Sequence, residues 1–173
     1  GNDGINTNED GVSVTTIKGG CLNIRVNGAT GEGDGIDSNG WLVINGGQVF
    51  SQACATSMDA GVDSDMGIHI NGGTVFATGN MLDRIAESRQ NYAVLQMAQP
   101  STGAYHLKRS DEVIVCQYDI ANSFTYALIS CPALTADQYT LWSGQVQMAG
   151  IPSDGMGGQR PGGMTPPGGM EPP

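Results

Sequence analysis

Apolar and polar residues alternate over the first 80 positions, and the alternation recurs at a fixed distance. Three copies of one phrase, Asp3–Asn6, Asp34–Asp37 and Ala60–Asp63, are each followed by a double glycine 11 to 15 residues after their own glycine. The double glycines begin at positions 19, 46 and 72 and are therefore 27 and 26 residues apart. A repeat of this length indicates one structural unit that stacks on its neighbours.

Alignment on the glycines produces columns with the two-residue period of a strand. The inward columns are Ile5/Ile36/Val62, Thr15/Leu42/Ile68, Ile17/Ile44/Ile70 and Leu22/Val49/Val75. The outward columns between them are Asn6/Asp37/Asp63, Thr16/Val43/His69 and Lys18/Asn45/Asn71. A unit with so few apolar residues cannot fold alone, so we expect the units to stack in register at about 4.8 Å.

The repeat therefore predicts an all-β fold, a right-handed parallel β-helix (solenoid). A β-sandwich is the alternative, but hairpins about every 8–12 residues do not require one phrase to recur at this longer distance.

The composition divides the chain into three stretches. Residues 1–80 are the regular coils, and no proline occurs before Pro100. The repeat fades in 81–150, where we expect a helix or loop at 83–90 and then irregular final coils and a C-terminal cap of the same domain. Residues 151–173 contain six prolines and seven glycines, which predicts a disordered or extended Gly/Pro/Met-rich tail.

Charge and cysteine content exclude several classes of protein. A net charge of −10 repels the phosphates of a nucleic acid, and no apolar run is long enough to span a membrane. The four cysteines form no CxxC pair and have no histidine cluster nearby, which argues against a zinc site or a thioredoxin motif and leaves their disulfide state open. An exposed solenoid edge would allow an oligomer to form.

Aspartate and asparagine recur at the same outward positions in each copy of the phrase. Stacking would bring their oxygen atoms together, and calcium, which accepts six to eight oxygen ligands in loose geometry, is the cation that suits them. The candidate metal ligands are Asp3, Asn6, Asp34, Asp37, Asn39, Asp59, Asp63 and Asp65. The alternative is that these side chains only cap turns through hydrogen bonds to the backbone.

Aromatic residues offer a second kind of site, since a sugar ring packs its C–H face against a flat side chain. Phe50 and Phe76 form one outward column, and Trp41 lies nearby in the sequence, so these three are the candidate ligand-binding residues. Their alternative role is to pack beneath 81–150. The chain has no G-x-S-x-G phrase and no assembled catalytic set, which favours a protein that is not an enzyme.

Several phrases in order carry a family resemblance: Gly33–Gly40, the Ile-Asn-Gly-Gly phrases ending at Gly47 and Gly73, Leu95–Pro100, Ser130–Leu134 and the Gly/Pro/Met tail. Together they resemble the extracellular carbohydrate-binding parallel β-helix family, similar in shape to polysaccharide lyases, first described in cellulose-degrading bacteria.

The resemblance implies a secreted or cell-surface protein that binds calcium and a plant-type or acidic polysaccharide without catalysis. By position, Asp34 with Asp37 and Asp59 with Asp63 would hold the calcium. Asn6 and Ala60 depart from the family's aspartates, and the family pattern implies that further coils precede residue 1. Two other hypotheses remain: a polysaccharide lyase or hydrolase that acts on an acidic glycan, and a structural or adhesive surface protein.

Overall fold

The structure, a computed structural model, describes residues 2–150, and this range is all-β, without a helix. The strands of the three repeats are β1 (Ile5–Thr7), β2 (Val14–Ile17), β3 (Cys21–Arg25), β4 (Ile36–Ser38), β5 (Trp41–Ile44), β6 (Gln48–Gln52), β7 (Val62–Ser64), β8 (Gly67–Ile70) and β9 (Thr74–Gly79). Four more strands follow: β10 (Tyr92–Arg109), β11 (Ile114–Ser130), β12 (Tyr139–Ser143) and β13 (Val146–Gly150). No segment in the described range forms a membrane-spanning apolar helix. The predicted tail, 151–173, lies outside the described residues.

The three repeats pair strand on strand in three parallel sheets, β1-β4-β7, β2-β5-β8 and β3-β6-β9. The registers join Ile5 to Ile36 to Val62 and Leu42 to Ile68. The column alignment from the glycines is therefore confirmed. Because side chains alternate along each strand, the apolar members of all three sheets enclose one core, in which Ile36, Leu42 and Ile70 are fully buried.

The double glycines form the turns between the second and third strands of each repeat. Their second members, Gly20, Gly47 and Gly73, have φ values of 84°, 88° and 90°, which glycine adopts without the steric cost that a side chain would add. The turns also stack closely, since a Cβ on Gly47 would lie 2.8 Å from backbone atoms of the preceding turn. The recurrence of glycine thus has both a conformational and a packing cause.

The second half differs from the predicted irregular coils and cap. β10 and β11 form one long antiparallel hairpin, and the third sheet runs β13-β12-β10-β11-β9-β6-β3. Pro100 and Gly103 suggested strand ends, but both lie inside β10, beside shifts in its register with β11. A bulge accommodates proline because no ladder hydrogen bond is required of it there.

The hairpin folds against the outward face of β3, β6 and β9 and buries a second apolar cluster there. Phe76, Tyr105, Leu107, Phe124 and Leu141 belong to this cluster, and none is more than 1% exposed. The third sheet is longer than the other two because β11 pairs with β9 and thereby adds the four later strands to it.

Residues 83–90, predicted as a helix or a loop, form a loop along the open edge of β8. Ile68 donates to and accepts from the backbone of this loop and forms an isolated parallel bridge with Ile85, whereas Ile70 accepts a backbone hydrogen bond and donates to the hydroxyl of Ser88. His69, expected on the surface, is buried, and its Nδ1 lies 2.7 Å from the backbone oxygen of Glu87. The loop therefore covers a sheet edge that would otherwise be free to pair with another chain.

Candidate functional site

The most concentrated charge in the described residues lies along the first sheet. Asn6, Asp37 and Asp63, here called the acidic file, occupy equivalent positions in the register of β1, β4 and β7. Asn6 donates from Nδ2 to Asp37 at 3.2 Å and to Asp3 at 2.6 Å. Neighbouring strands are about 4.8 Å apart, so stacking brings these polar side chains within reach of each other, as the sequence predicted.

Three of the predicted metal ligands cap the backbone of an adjacent repeat. Asp3 Oδ1 accepts the N–H of Asp34 at 2.8 Å, and Asp34 Oδ1 accepts the N–H of Ala60 at 2.6 Å. Asp59 Oδ2 accepts the N–H of Gly33 at 2.5 Å and also the hydroxyl of Ser57. For Asp3, Asp34 and Asp59 the turn-capping role is therefore observed.

The acidic file ends at Asp63, whose carboxyl group interacts with that of Asp83. Burial, together with the charge and hydrogen bond of Asp83, raises the pKa of Asp63 from 3.8 to about 7. Asp83 also accepts the N–H of Ser64 at 2.8 Å. The charge of Asp83 therefore disfavours the ionised form of Asp63, because two like charges so close repel each other. Asp83 has no counterpart in the repeats, so the sequence offered no signal for it.

Burial also raises the pKa values of the two aspartates in the middle repeat. The pKa of Asp34 rises to about 6, mainly through burial and then through Asp59, Asp3 and Asp37, against the lowering effect of its bond from Ala60. The pKa of Asp37 rises through burial, Asp3, Asp65 and Asp83. The carboxylates along this sheet thus disfavour one another's ionised forms.

No cationic side chain neutralises the file within residues 2–150. The two ion pairs in this range are Lys108 with Glu112 and Arg109 with Asp111, both on the hairpin. Arg84 lies nearby in sequence, but its guanidinium donates to the backbone oxygens of Met66 and Asp65. The negative charge of the file is therefore not compensated by a basic residue.

The remaining predicted ligands are less engaged with the file. Asn39 donates to Asp10 Oδ1 at 2.9 Å, whereas Asp65 is exposed. Within residues 2–150, no three His, Cys, Asp or Glu side chains are arranged to hold a metal ion. The residues fit a cation best at Asp63 and Asp83, whose carboxyl groups have no basic partner, and least at the three backbone caps.

The aromatic candidates are not available as an open surface. Phe50 and Phe76 face outward in register as expected, but the hairpin covers them: Phe76 is 1% exposed, and Phe50 stacks on Tyr118 at 4.2 Å between ring centroids. Trp41 is buried and lies 5.4 Å from the ring of His69. The alternative role, packing beneath the second half, describes the two phenylalanines. The expectation that these three residues present exposed rings is wrong.

The cysteines give no sign of a site. Cys21, Cys54, Cys116 and Cys131 are free thiols, of which Cys54 and Cys131 are buried. Burial raises the pKa of the Cys116 thiol to about 12, which keeps it protonated and unreactive at neutral pH.

Comparisons with models of protein families, with curated proteins and with solved structures find no match to this chain. The family resemblance therefore depends on the sequence phrases alone.

Proposed function

We propose that this chain is a non-catalytic carbohydrate-binding module that holds calcium at the end of its acidic file and, through the ion, an acidic polysaccharide. The observation that carries the proposal is the file together with the neighbouring Asp83: Asp37, Asp63 and Asp83 have no basic partner among the described residues. Burial and then the charges of neighbouring aspartates raise the pKa values of Asp37 and Asp63, and a bound cation would offset the repulsion between those charges.

We infer further that the three parallel sheets are consecutive faces of a right-handed parallel β-helix. The constant register of the repeats supports this inference, since each repeat contributes one strand to each sheet. In such a solenoid the acidic file would run along one long face, which suits an extended polymer. An extracellular or cell-surface location accords with a polysaccharide partner.

The chain's own residues would have distinct tasks in binding. Asp63 and Asp83 would hold the ion, with water and ligand oxygens completing its shell, because calcium accepts such mixed coordination. Asp3, Asp34 and Asp59 would keep the turns in place through their bonds to backbone N–H groups. The bound cation would then let a glycan carboxylate approach a protein of net charge −10.

The test is retardation of the protein in native gels that contain polygalacturonate, run with calcium chloride or with EDTA. We expect retardation in calcium only, loss of it in Asp63→Asn and Asp83→Asn, and no change in Glu87→Gln. Glu87 is exposed, so this control removes one negative charge outside the file. Equal mobility of the wild type with and without the polymer, in calcium, would refute the proposal.

A hydrolase acting on an acidic glycan is the second candidate, favoured by the Asp63 and Asp83 pair. A carboxyl group with a pKa of about 7 is suited to act as a general acid at neutral pH. Incubation with polygalacturonate followed by a reducing-end assay distinguishes the two functions. Release of new ends by the wild type, but not by Asp63→Asn, would favour the enzyme.

A further inference from the structure

Four asparagines are followed directly by glycine, at 27–28, 39–40, 45–46 and 71–72. In such a pair the glycine nitrogen can attack the side-chain amide carbon of the asparagine, because glycine has no Cβ that hinders the approach. The attack requires a side chain that is free to turn toward its own backbone, a glycine N–H without an acceptor, and room for the backbone to rotate. The four pairs differ in these respects.

The first pair lies in the connection between β3 and β4, outside the strands. Asn27 is exposed, and within residues 2–150 the N–H of Gly28 has no hydrogen-bond acceptor. A Cβ on Gly28 would have one atom within 4 Å, the Sγ of Cys54 at 3.4 Å. This pair therefore has the space that ring closure needs.

The side chain of Asn27 is already turned toward the backbone that follows it. Its Oδ1 accepts the N–H of Ala29 at 2.9 Å, a local bond that asparagine forms readily in turns. The bond directs the amide carbon of Asn27 toward the Gly28 nitrogen. An N–H that donates to a carbonyl oxygen also stabilises the negative charge that develops on that oxygen during attack.

The pairs at 45–46 and 71–72 lie in the stacked double-glycine turns. Asn71 Nδ2 donates to Asn45 Oδ1 at 3.0 Å, which ties each side chain to the neighbouring turn instead of its own backbone. The N–H of Gly72 donates to the backbone oxygen of Ile44 at 3.3 Å. Cβ atoms on Gly46 and Gly72 would lie 2.9 Å and 2.7 Å from backbone oxygens of the preceding turn. Ring closure here would require a turn to leave the stack.

Asn39 is held by both its backbone and its side chain. Its N–H donates to Thr7 O at 2.9 Å, and its backbone oxygen accepts the N–H of Gly11 at 2.6 Å. Its Nδ2 donates to Asp10 Oδ1 at 2.9 Å. Three hydrogen bonds to another repeat therefore keep this pair from rotating.

We propose that Asn27 is a site of spontaneous deamidation in the folded chain. The Gly28 nitrogen forms a bond to Asn27 Cγ, the bond between Cγ and Nδ2 breaks, and Nδ2 leaves as ammonia with the proton from the Gly28 nitrogen. Water then opens the succinimide ring at either carbonyl group and produces aspartate or isoaspartate at this position. Nothing is oxidised or reduced. The modification adds one negative charge to the connection between β3 and β4, and it does not depend on the proposed function.

The experiment is incubation of the whole chain at pH 8, both folded and in concentrated urea, followed by digestion with pepsin at acidic pH and tandem mass spectrometry. The unfolded chain gives the rate that each pair has from its local sequence alone. In the folded chain, Asn27 should convert at about its unfolded rate. Asn45 and Asn71 should slow by about tenfold or more, because the hydrogen bonds that must break first raise the barrier.

Two variants assign the product to its position. On a native gel the incubated wild type should develop a band that migrates faster toward the anode, because an amide has become a carboxylate. This band should be absent in Asn27→Gln, whose longer side chain would have to close a larger ring, and present in the control Asn45→Gln. An isoaspartyl methyltransferase should label the incubated wild type but not Asn27→Gln.

Two results would overturn the proposal. One is an Asn27 that stays intact in the folded chain over a period in which the unfolded chain converts. The other is equal conversion of Asn27, Asn45 and Asn71 in the folded chain, which would mean that the stacked turns give no protection.

Discussion

Replacing Asp63 with asparagine removes the most strongly perturbed carboxyl group of the acidic file and preserves its shape. The side-chain amide introduced by Asp63→Asn can donate a hydrogen bond to Asp83, the carboxyl group that interacts with Asp63 in the wild type. We expect the variant to be more stable than the wild type at pH 8 in EDTA, because it no longer carries a charge that the fold disfavours.

The magnitude follows from the pKa. A rise from 3.8 to about 7 corresponds to about 4 kcal/mol, at about 1.4 kcal/mol for each pH unit. Asp63 is only half-buried, and solvent screening reduces this figure to about 1–2 kcal/mol. For a domain of this size the unfolding midpoint should rise by about 4 °C.

The pH dependence distinguishes this cause from simple repacking. A carboxyl group whose pKa is raised by folding costs nothing below about pH 4, where both the folded and the unfolded chain bind the proton. The cost grows as pH rises from about 4 to about 7 and is constant above that range. The gain in Asp63→Asn should therefore be absent at pH 4 and complete at pH 8.

Thermal unfolding followed by circular dichroism from pH 4 to 8 in EDTA measures this difference, with Glu87→Gln as the charge-matched control. A gain of equal size at every pH, or a variant less stable than the wild type at pH 8, would show that the raised pKa of Asp63 is not the cause.

Three further variants test the fold by denaturant unfolding. Phe76→Ala should lower the free energy of unfolding by about 3–5 kcal/mol, because the ring is 1% exposed in the second core. The control Val113→Ala, at an exposed position, should change it by less than about 0.5 kcal/mol. Equal effects would mean that the hairpin does not cover the third sheet. Gly61→Ala should lower the free energy of unfolding by more than about 2 kcal/mol, since its Cβ would lie 2.8 Å from backbone atoms of two neighbouring strands. The control Gly19→Ala should be tolerated, because no atom lies within 4 Å of its Cβ. Similar stabilities of the two variants would contradict the stacking of the repeats. Asn122→Ala should cost about 2–4 kcal/mol through loss of its two buried hydrogen bonds of 2.7 Å to the backbone oxygens of Val26 and Ala53, and an unchanged midpoint would show that these bonds do not anchor the hairpin.

The stacked half could be predicted from sequence because its physical causes repeat. An inward apolar position recurs wherever a strand faces the common core. The columns that include Ile36 and Leu42 therefore predict which residues of neighbouring strands pair. The polar file follows from the same alignment, since Asp37 and Asp63 alternate with those positions. Repetition converts a weak local pattern into a strong one.

The hairpin could not be predicted in the same way, because it occurs once. Pro100 and Gly103 indicate breaks when read locally, and only the bulges in the pairing with β11 accommodate them within one strand. The burial of Phe76 beneath that hairpin, and the contact of Asp83 with Asp63, depend on the same long-range packing. The alternation of apolar and polar residues shows that a side chain points outward, but it does not show which later segment packs against it.

Calcium-dependent unfolding tests the proposed cation site most directly. The midpoint of the wild-type chain at about pH 7.5, measured in EDTA and in rising calcium chloride, should increase in proportion to the logarithm of calcium concentration above the dissociation constant. The increase should be lost in Asp63→Asn and kept in Glu87→Gln. A wild-type midpoint that stays flat into the millimolar range would contradict a calcium site on the acidic file.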